Sequence, residues 1–485
     1  MPFGGEMRRG TSRAPGRLLR RLSAIGLVVA GAFAAASSLT TAPGCSSDPP
    51  KQASGEPITI GVSLGLSNAL AGTSAPLRDA IRVAEGQINA NGGVLGKPIF
   101  FDIQDDQSEP DKAVKVAQSF VQKRYPAVIG PVGSGQVVKV AEIYAQAQMV
   151  EISPTATSVD LTNIQPTSDR WFFRTTPADD FQGAAVLRFT QLTPSGLVDG
   201  GASGGDGGAP SKCSKLVIVN INNAYGNSMA KVISDNFKRV SGSSVLLTEV
   251  ISDSLENDYA AQLNRIFPLN PDCMALIAYE DTGAQFVSEM KADPRFTALE
   301  AKRFFIIGTD GIFTDGFLER SRQDKSNPKS QSSAVGVYGT NPDTQPGTKE
   351  YNEFRTFYAA GFPLPSGQDA PAFTANAYDA AILIALAIQR TGNTTDRAAL
   401  RDNLREVSGR PGTPFTPAQI GAALAAAREG TDIDYKGASG AVDLEPNGNV
   451  KSGFIIWKAV RLPDETVGYK TEGRFTLEEL VGTIQ

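Results

Sequence analysis

Not one of the 485 residues is histidine. That absence removes Ser-His-Asp and Cys-His nucleophiles, His-ligated zinc and proximal-His haem together. Cysteine is almost as scarce: there are three, and no two stand in a CxxC pair. A GxxxxGK-S/T phosphate loop and an HExxH metal pair are also missing. Gly133-Ser134-Gly135 is no nucleophile elbow, because Val132 stands where GxSxG needs its first glycine. Basic residues are outnumbered, 46 Lys and Arg against 51 Asp and Glu. Six arginines and one glutamate fall before Cys45, so the rest of the chain holds 40 basic and 50 acidic residues, net −10. A face of that sign repels a phosphate backbone and excludes nucleic acid as a partner. An enzyme built here would have to work through carboxylates, lysine or tyrosine alone. The pattern calls for no metal and no cofactor.

Apolar runs are short, with one exception. Arg8, Arg9, Arg13, Arg17, Arg20 and Arg21 lead into Leu22–Ala36. A basic stretch and about 15 apolar residues describe a signal peptide over residues 1–44, short of the roughly 20 that a spanning helix needs. Ala42-Pro43-Gly44-Cys45 follows. Small residues ending in Cys resemble the cleavage box of bacterial lipoproteins, whose Cys becomes the lipidated N-terminus. Ala42 stands where that box usually has Leu, and Pro43 is unusual in it. The alternative is ordinary secretion with Cys45 unmodified. Residues 45–56 are polar and proline-rich, suited to a tether. The chain is thus expected in the periplasm or at the cell surface, touching membrane only through a lipid anchor. If Cys45 carries lipid, Cys213 and Cys273 are left to pair in an oxidising compartment.

From Ile58 onward, apolar strands alternate with amphipathic helices. Ile58–Leu64 reads as a strand, 75–91 as a helix stopped by Asn91-Gly92-Gly93, and 98–102 as the next strand. Ser108 and Asp111 look like a capping box with Pro110 in the first turn. Ala127–Gly130 is a short buried strand, and 136–148 a helix. The rhythm restarts at Lys215 and runs to Gly308. Two such units predict two α/β lobes, each with a parallel sheet covered on both faces. The Gly-rich stretch 194–210 reads as a surface loop at the head of the second lobe. Residues 440–459 alternate like two strands about the turn Glu445-Pro446-Asn447-Gly448. The oxygens of Asp443, Glu445, Asn447 and Asn449 lack the rest of an EF-hand loop. Cys213 and Cys273 each lie just before a second-lobe strand. First and third strands of a doubly wound unit are neighbours, so the two should meet at that sheet's amino-terminal edge.

Nine segments, in order, carry a family resemblance: IGVSLGLSNALAG, INANGGVLGKPI, DDQSEPDKAVKVAQ, VIGPVGSGQ, ISPTATSVDLT, WFFRTTPADDFQG, NAYGNS, GTDGIF and AYDAAILIALAI. Over about residues 57–460 the chain resembles the leucine/isoleucine/valine-binding proteins, solute receptors of ABC transporters. The resemblance implies the type I periplasmic binding protein fold: two doubly wound parallel-sheet lobes joined by a hinge of three crossovers. Lobe one would hold 57–177 and 335–450, and lobe two 178–334 and 451–485. It implies a small-molecule ligand, an amino acid or similar carboxylate, and an ABC permease as partner. The same module feeding a signalling partner is the alternative, and a carboxylate-based enzyme a remoter one.

Site residues follow from the same resemblance. Ser134 comes after a buried strand at a helix start, where free N–H groups and the helix dipole favour a carboxylate; a plain N-cap serine is the other reading. Positions matching Thr155 and Thr157 offer a carbonyl to the ligand ammonium and a hydroxyl with N–H, respectively. Both follow Ile152-Ser153, at a strand's carboxyl end, where open α/β sheets bind ligands. Asp310, in Gly308-Thr309-Asp310-Gly311, matches the acidic partner of that ammonium, or else is a turn aspartate. Tyr225 and Tyr279 match aromatic positions on lobe two. Thr73, where some relatives have tyrosine, and Phe373 match lobe-one positions around the side-chain subsite.

Overall fold

Ile58–Leu64 (β1) is rich in β-branched residues and buried along nearly its whole length, as a central parallel strand must be. A computed structural model describes residues 52–191, 212–365 and 368–484. The expected signal peptide, Cys45 with most of the tether, and the Gly-rich segment 194–210 lie outside the described residues.

The strands β1, Ile99–Asp105 (β2), Ala127–Ile129 (β3), Val150–Ser153 (β4) and Phe172–Arg174 (β5) form one parallel sheet in the order β2-β1-β3-β4-β5. Its helices are Ala71–Ala90 (α1), Pro110–Gln122 (α2) and Ser134–Gln146 (α3). The second sheet uses Lys215–Ile221 (β6), Ser244–Ile251 (β7), Cys273–Ile277 (β8), Phe305–Gly308 (β9) and Tyr338–Pro342 (β10), with Phe454–Arg461 (β14) and Val467–Phe475 (β15) added antiparallel at one edge. Its order is β15-β14-β10-β9-β8-β6-β7. A small third sheet, Thr413–Phe415 (β11), Ile433–Gly437 (β12) and Gly440–Ala441 (β13), lies on the first lobe. Asp379, buried in the helix Thr374–Thr391, holds it there by accepting bonds from Tyr435, Ala438 and Ser439. Each large sheet has its own buried apolar core.

Strand order changes direction between β1 and β3, and again between β6 and β8. These are the switch points whose carboxyl ends open a crevice for a ligand. Three segments pass between the sheets: after β5, where Pro177 bridges Val450, after β10, and between Val450 and β14. Helix Asp179–Gln191 (α4) begins directly after the first crossing.

Three expectations need correction. Lobe one does not resume at 335, because β10 pairs with β9 and β14 in the second sheet; the crossing follows Pro342. No hairpin spans Glu445–Gly448. The turn itself forms, but β13 pairs with β12, whereas β14 pairs with β15, a strand the alternation did not mark. Ser108 caps no helix either: its hydroxyl donates to Ser67 O at 2.7 Å and accepts from Leu70 N at 3.0 Å, tying two loops together.

Cys213 and Cys273 are bridged, with Cα atoms 5.8 Å apart. They sit at the amino-terminal ends of the adjacent strands β6 and β8, where Leu216 pairs with Cys273. Among the described residues no helix is long and apolar enough to cross a membrane.

Candidate ligand-binding site

One cleft between the lobes is lined by Thr73, Ser134, Thr155, Thr157, Tyr225, Tyr279, Asp310 and Phe373, all eight of the residues the sequence singled out. Leu70, Val132, Gly133 and Gly311 complete the lining. Its free space is about 390 Å³ with the open mouth included. Among the described residues, no lysine or arginine lines it.

Lobe one supplies the carboxyl ends of β3 and β4. Gly133 is the N-cap of α3 and Ser134 its first helical residue, so the serine is not the cap. Its hydroxyl accepts from Ser158 N at 3.2 Å and fixes the neighbouring loop. Thr155 donates its hydroxyl to Val132 O at 2.7 Å. The carbonyl of Thr157 accepts from Asp179 N at 2.9 Å. Thr73 lies in the first turn of α1. Phe373 is both a core residue of lobe one and part of the lining.

Lobe two supplies the ends of β6, β8 and β9. Tyr225 and Tyr279 stack with centroids 5.8 Å apart and an interplanar angle of 8°. The Tyr225 hydroxyl donates to Asp310 Oδ1 at 2.7 Å and lies 2.7 Å from Thr309 Oγ1. Burial pushes the Asp310 carboxyl up to about 6, although bonds from Tyr225, Gln182 and Gly311 favour its charged form.

Two residues behind the lining escaped the sequence reading. Asp179, at the start of α4, is fully buried, and neither of its carboxylate oxygens has a hydrogen-bond partner of good geometry. Arg174, at the end of β5, bonds Ala156 O, Ser158 O, Asn449 Oδ1 and Thr162 Oγ1. It therefore ties the threonine loop to the third crossing. The one available signal was position: both fall within WFFRTTPADDFQG, flanking the first crossing.

The lobes meet in a closed arrangement. Val159 N donates to Ser228 Oγ across the cleft at 3.3 Å. Glu280, 3% exposed, accepts from Thr314 Oγ1 at 2.9 Å and pairs with Arg320 at 3.2 Å on its own lobe. It faces the first turn of α1, where a Cβ on Gly72 would stand 2.2 Å from Glu280 Oε2. A Cβ on Gly316 would also stand 2.2 Å from that oxygen, and Thr314 and Arg320 hold the carboxylate, so it has little room to retreat. Gly72→Val is expected to wedge the lobes apart. Ligand affinity should fall by at least roughly tenfold, the scale of about 1.4 kcal/mol. Small-angle scattering should show no contraction on adding ligand; parental affinity together with normal contraction would mean that Gly72 is not a closing contact.

Among the described residues, no group of three or more Cys, Asp or Glu could hold a metal ion.

Known proteins place this architecture. Residues 57–429 match the family model described as periplasmic binding protein. The Leu/Ile/Val-binding protein BraC3 of Rhizobium johnstonii is 26% identical over 358 residues, covering 72% of this chain and 83% of that protein. BasB of Halobacterium salinarum, a chemotactic signal transduction system substrate-binding protein, is 24% identical over 426 residues, covering 87% and 92%. The fold is similar to that of LivJ from Streptococcus pneumoniae in complex with isoleucine, with a TM-score of 0.63, 20% identity and coverage of 86% and 99%. It is also similar to a solute-binding protein from R. palustris in complex with 4-hydroxybenzoate, with a TM-score of 0.65, 16% identity and coverage of 87% and 97%. The chain belongs to the periplasmic binding protein family, with relatives of the leucine/isoleucine/valine-binding type.

Proposed function

We propose that this chain is an exported solute-binding protein that captures a zwitterionic α-amino acid between its lobes and delivers it to an ABC permease. The observation that carries this reading is the pairing of opposite demands in one cleft. The start of α3, with Ser134 and the Thr155–Thr157 loop, offers donors and a positive dipole end to a carboxylate. Across from it stands Asp310, a buried acid whose own neighbours are hydrogen-bond donors and not a cation. An ammonium supplies the missing charge. The stacked Tyr225 and Tyr279, with Leu70 and Phe373, leave an apolar and aromatic wall for a side chain. Closure brings the two ends together and removes water, which strengthens each charged contact. The family supports reversible binding without covalent chemistry. The anchor is lipid on Cys45.

A sensor role is the second reading, favoured by BasB, whose name is chemotactic and which this chain matches over most of both lengths. The cleft chemistry is the same in either role.

A thermal-shift panel on residues 46–485 tests the ligand class. Leucine, isoleucine, valine and polar amino acids would be compared with 4-hydroxybenzoate. At about 1,000-fold over Kd a ligand adds roughly 4 kcal/mol of stability. Stabilisation by at least one amino acid is expected. Stabilisation by the aromatic acid and by no amino acid would overturn the proposal.

A further inference from the structure

A carboxylate held at the start of α3 meets hydroxyls and peptide N–H groups in the lining, and no cation among the described residues. A positive charge stands one layer further back. Arg174 is fully buried at the end of β5. Its guanidinium donates to Ala156 O at 3.1 Å and to Ser158 O at 3.0 Å, the carbonyls on either side of Thr157. Its other bonds go to Asn449 Oδ1 and Thr162 Oγ1, each at 2.8 Å. All four acceptors are neutral, so no bonded group cancels the charge. Burial brings the guanidinium down to about 10, which leaves it protonated at neutral pH. Asp179 and Asp180 act on it through space, and burial raises both of those carboxyls.

Two features couple this charge to the cleft. The carbonyl of Ala156 and the N–H of Thr157 belong to one peptide unit, so donation to the oxygen polarises the N–H. Ser158, whose carbonyl accepts from Arg174, also donates its own N–H to Ser134 Oγ at 3.2 Å. One residue thus separates the guanidinium from a hydroxyl that lines the cleft, a span of at most about 10 Å. Between unit charges about 10 Å apart, an effective dielectric of about 20 still leaves an effect of roughly tenfold or more on binding.

We propose that Arg174 is the counter-charge for the ligand's carboxylate, acting from behind the threonine loop without touching the ligand. It is a positioning residue: it fixes the loop by its carbonyls and lends it positive potential. The site thereby selects a carboxylate although its lining carries no cation. This rests on the carboxylate half of the reading above and not on the ammonium half. A guanidinium kept only for its bonds would brace the loop and be indifferent to charge.

Asn449 allows a test that leaves Arg174 in place. Asn449→Asp keeps the shape and the acceptor for Arg174 Nε but adds a charge that cancels the guanidinium. Thr162 Oγ1, which now accepts from Asn449 Nδ2 at 3.1 Å, can turn its hydroxyl to donate to the new oxygen. Asn449→Ser stays neutral but is too short to keep the bond. Calorimetry on the full chain with L-leucine as the probe should show Asn449→Asp weaker than the parent by about tenfold or more. Asn449→Ser should stay close to the parent. A bracing role predicts the reverse order, since the first variant keeps the brace and the second loses it. In the same way Arg174→Lys, which keeps the charge and gives up the fork, should retain more affinity than Arg174→Gln. Melting midpoints near the parent's show which variants are folded, and the Asn449 pair decides if the Arg174 pair is not. Parental affinity in Asn449→Asp, or an equal loss in Asn449→Ser, would overturn the proposal. If L-leucine does not bind the parent, the amino-acid reading fails, and 4-hydroxybenzoate becomes the probe on the same variants, because only a carboxylate is needed. A parent that binds neither carboxylate overturns both.

Discussion

Asp310→Ala is expected to lower affinity for the cognate amino acid by roughly 10²–10³-fold or more, because it leaves a buried ammonium without its partner, a loss of about 3–5 kcal/mol. The size follows from burial. Asp310 is 5% exposed, with Tyr225 and Thr309 walling it in, so water cannot replace the missing carboxylate once the lobes close. A micromolar ligand has only about 8 kcal/mol of binding free energy in total. The variant would therefore retain about half of it. Ser134→Ala should cost less, since the backbone donors at the start of α3 remain. The two variants also differ in what they discriminate. Loss of Asp310 should weaken an amino acid and spare its desamino analogue, whereas loss of Ser134 should weaken both. Calorimetry with that ligand pair on both variants gives four numbers and one pattern. Parental affinity in Asp310→Ala would make Asp310 a turn residue and end the amino-acid assignment, leaving family membership intact.

The lining of the cleft was more legible in the sequence than the wiring behind it. Strand-to-loop transitions such as Ile152-Ser153-Pro154-Thr155 announce the carboxyl end of a strand, where a doubly wound sheet must place a ligand. Ser134, Thr155, Thr157, Tyr225, Tyr279 and Asp310 follow strand ends in this way, Thr73 and Phe373 came from the family resemblance alone, and all eight line one cleft. Asp179 and Arg174 were not legible. Their roles depend on the chain leaving one sheet for the other between them, and no local periodicity encodes a crossing. The same holds for β10. Tyr338-Gly339-Thr340-Asn341-Pro342 carries a weak strand pattern, and it joins the second sheet because Phe454–Lys458, over a hundred residues later, pairs with it. Ser108 shows a different failure. Its backbone is left-handed, with φ of 58°, and its hydroxyl serves two loops, so the S-x-x-D pattern never became a cap. The hairpin expected at Glu445–Gly448 failed because Asn449, read as a flanking residue, is held by Arg174 at the third crossing.

Replacing both Cys213 and Cys273 by alanine is expected to destabilise the second lobe by about 4 kcal/mol while leaving ligand affinity almost untouched. The bridge closes a loop of 60 residues, and on the chain-entropy model a loop of that length contributes about 4 kcal/mol by restricting the unfolded state. At roughly 2–4 °C per kcal/mol for a domain of this size, the melting midpoint should drop by roughly 8–16 °C. The fold should survive, because the same edge is held independently. Asp272 Oδ2 accepts from Ser214 N at 3.1 Å, Ser214 Oγ at 2.6 Å and Lys215 N at 2.9 Å, and β6 and β8 remain paired. Affinity should survive for a geometric reason. The bridge lies at the amino-terminal ends of β6 and β8, whereas Tyr225 and Tyr279 follow their carboxyl ends, a full strand length away. Changes so separated, with no shared partner, add almost independently, within about 0.5 kcal/mol or roughly twofold in affinity. Adding reductant should bring the parent down to the melting temperature of the variant and leave the variant unmoved. A variant that melts with the oxidised parent would show that the bridge does not form in the mature protein. A large loss of affinity at an unchanged midpoint would show instead that the amino-terminal edge is coupled to the cleft, against the separation seen here.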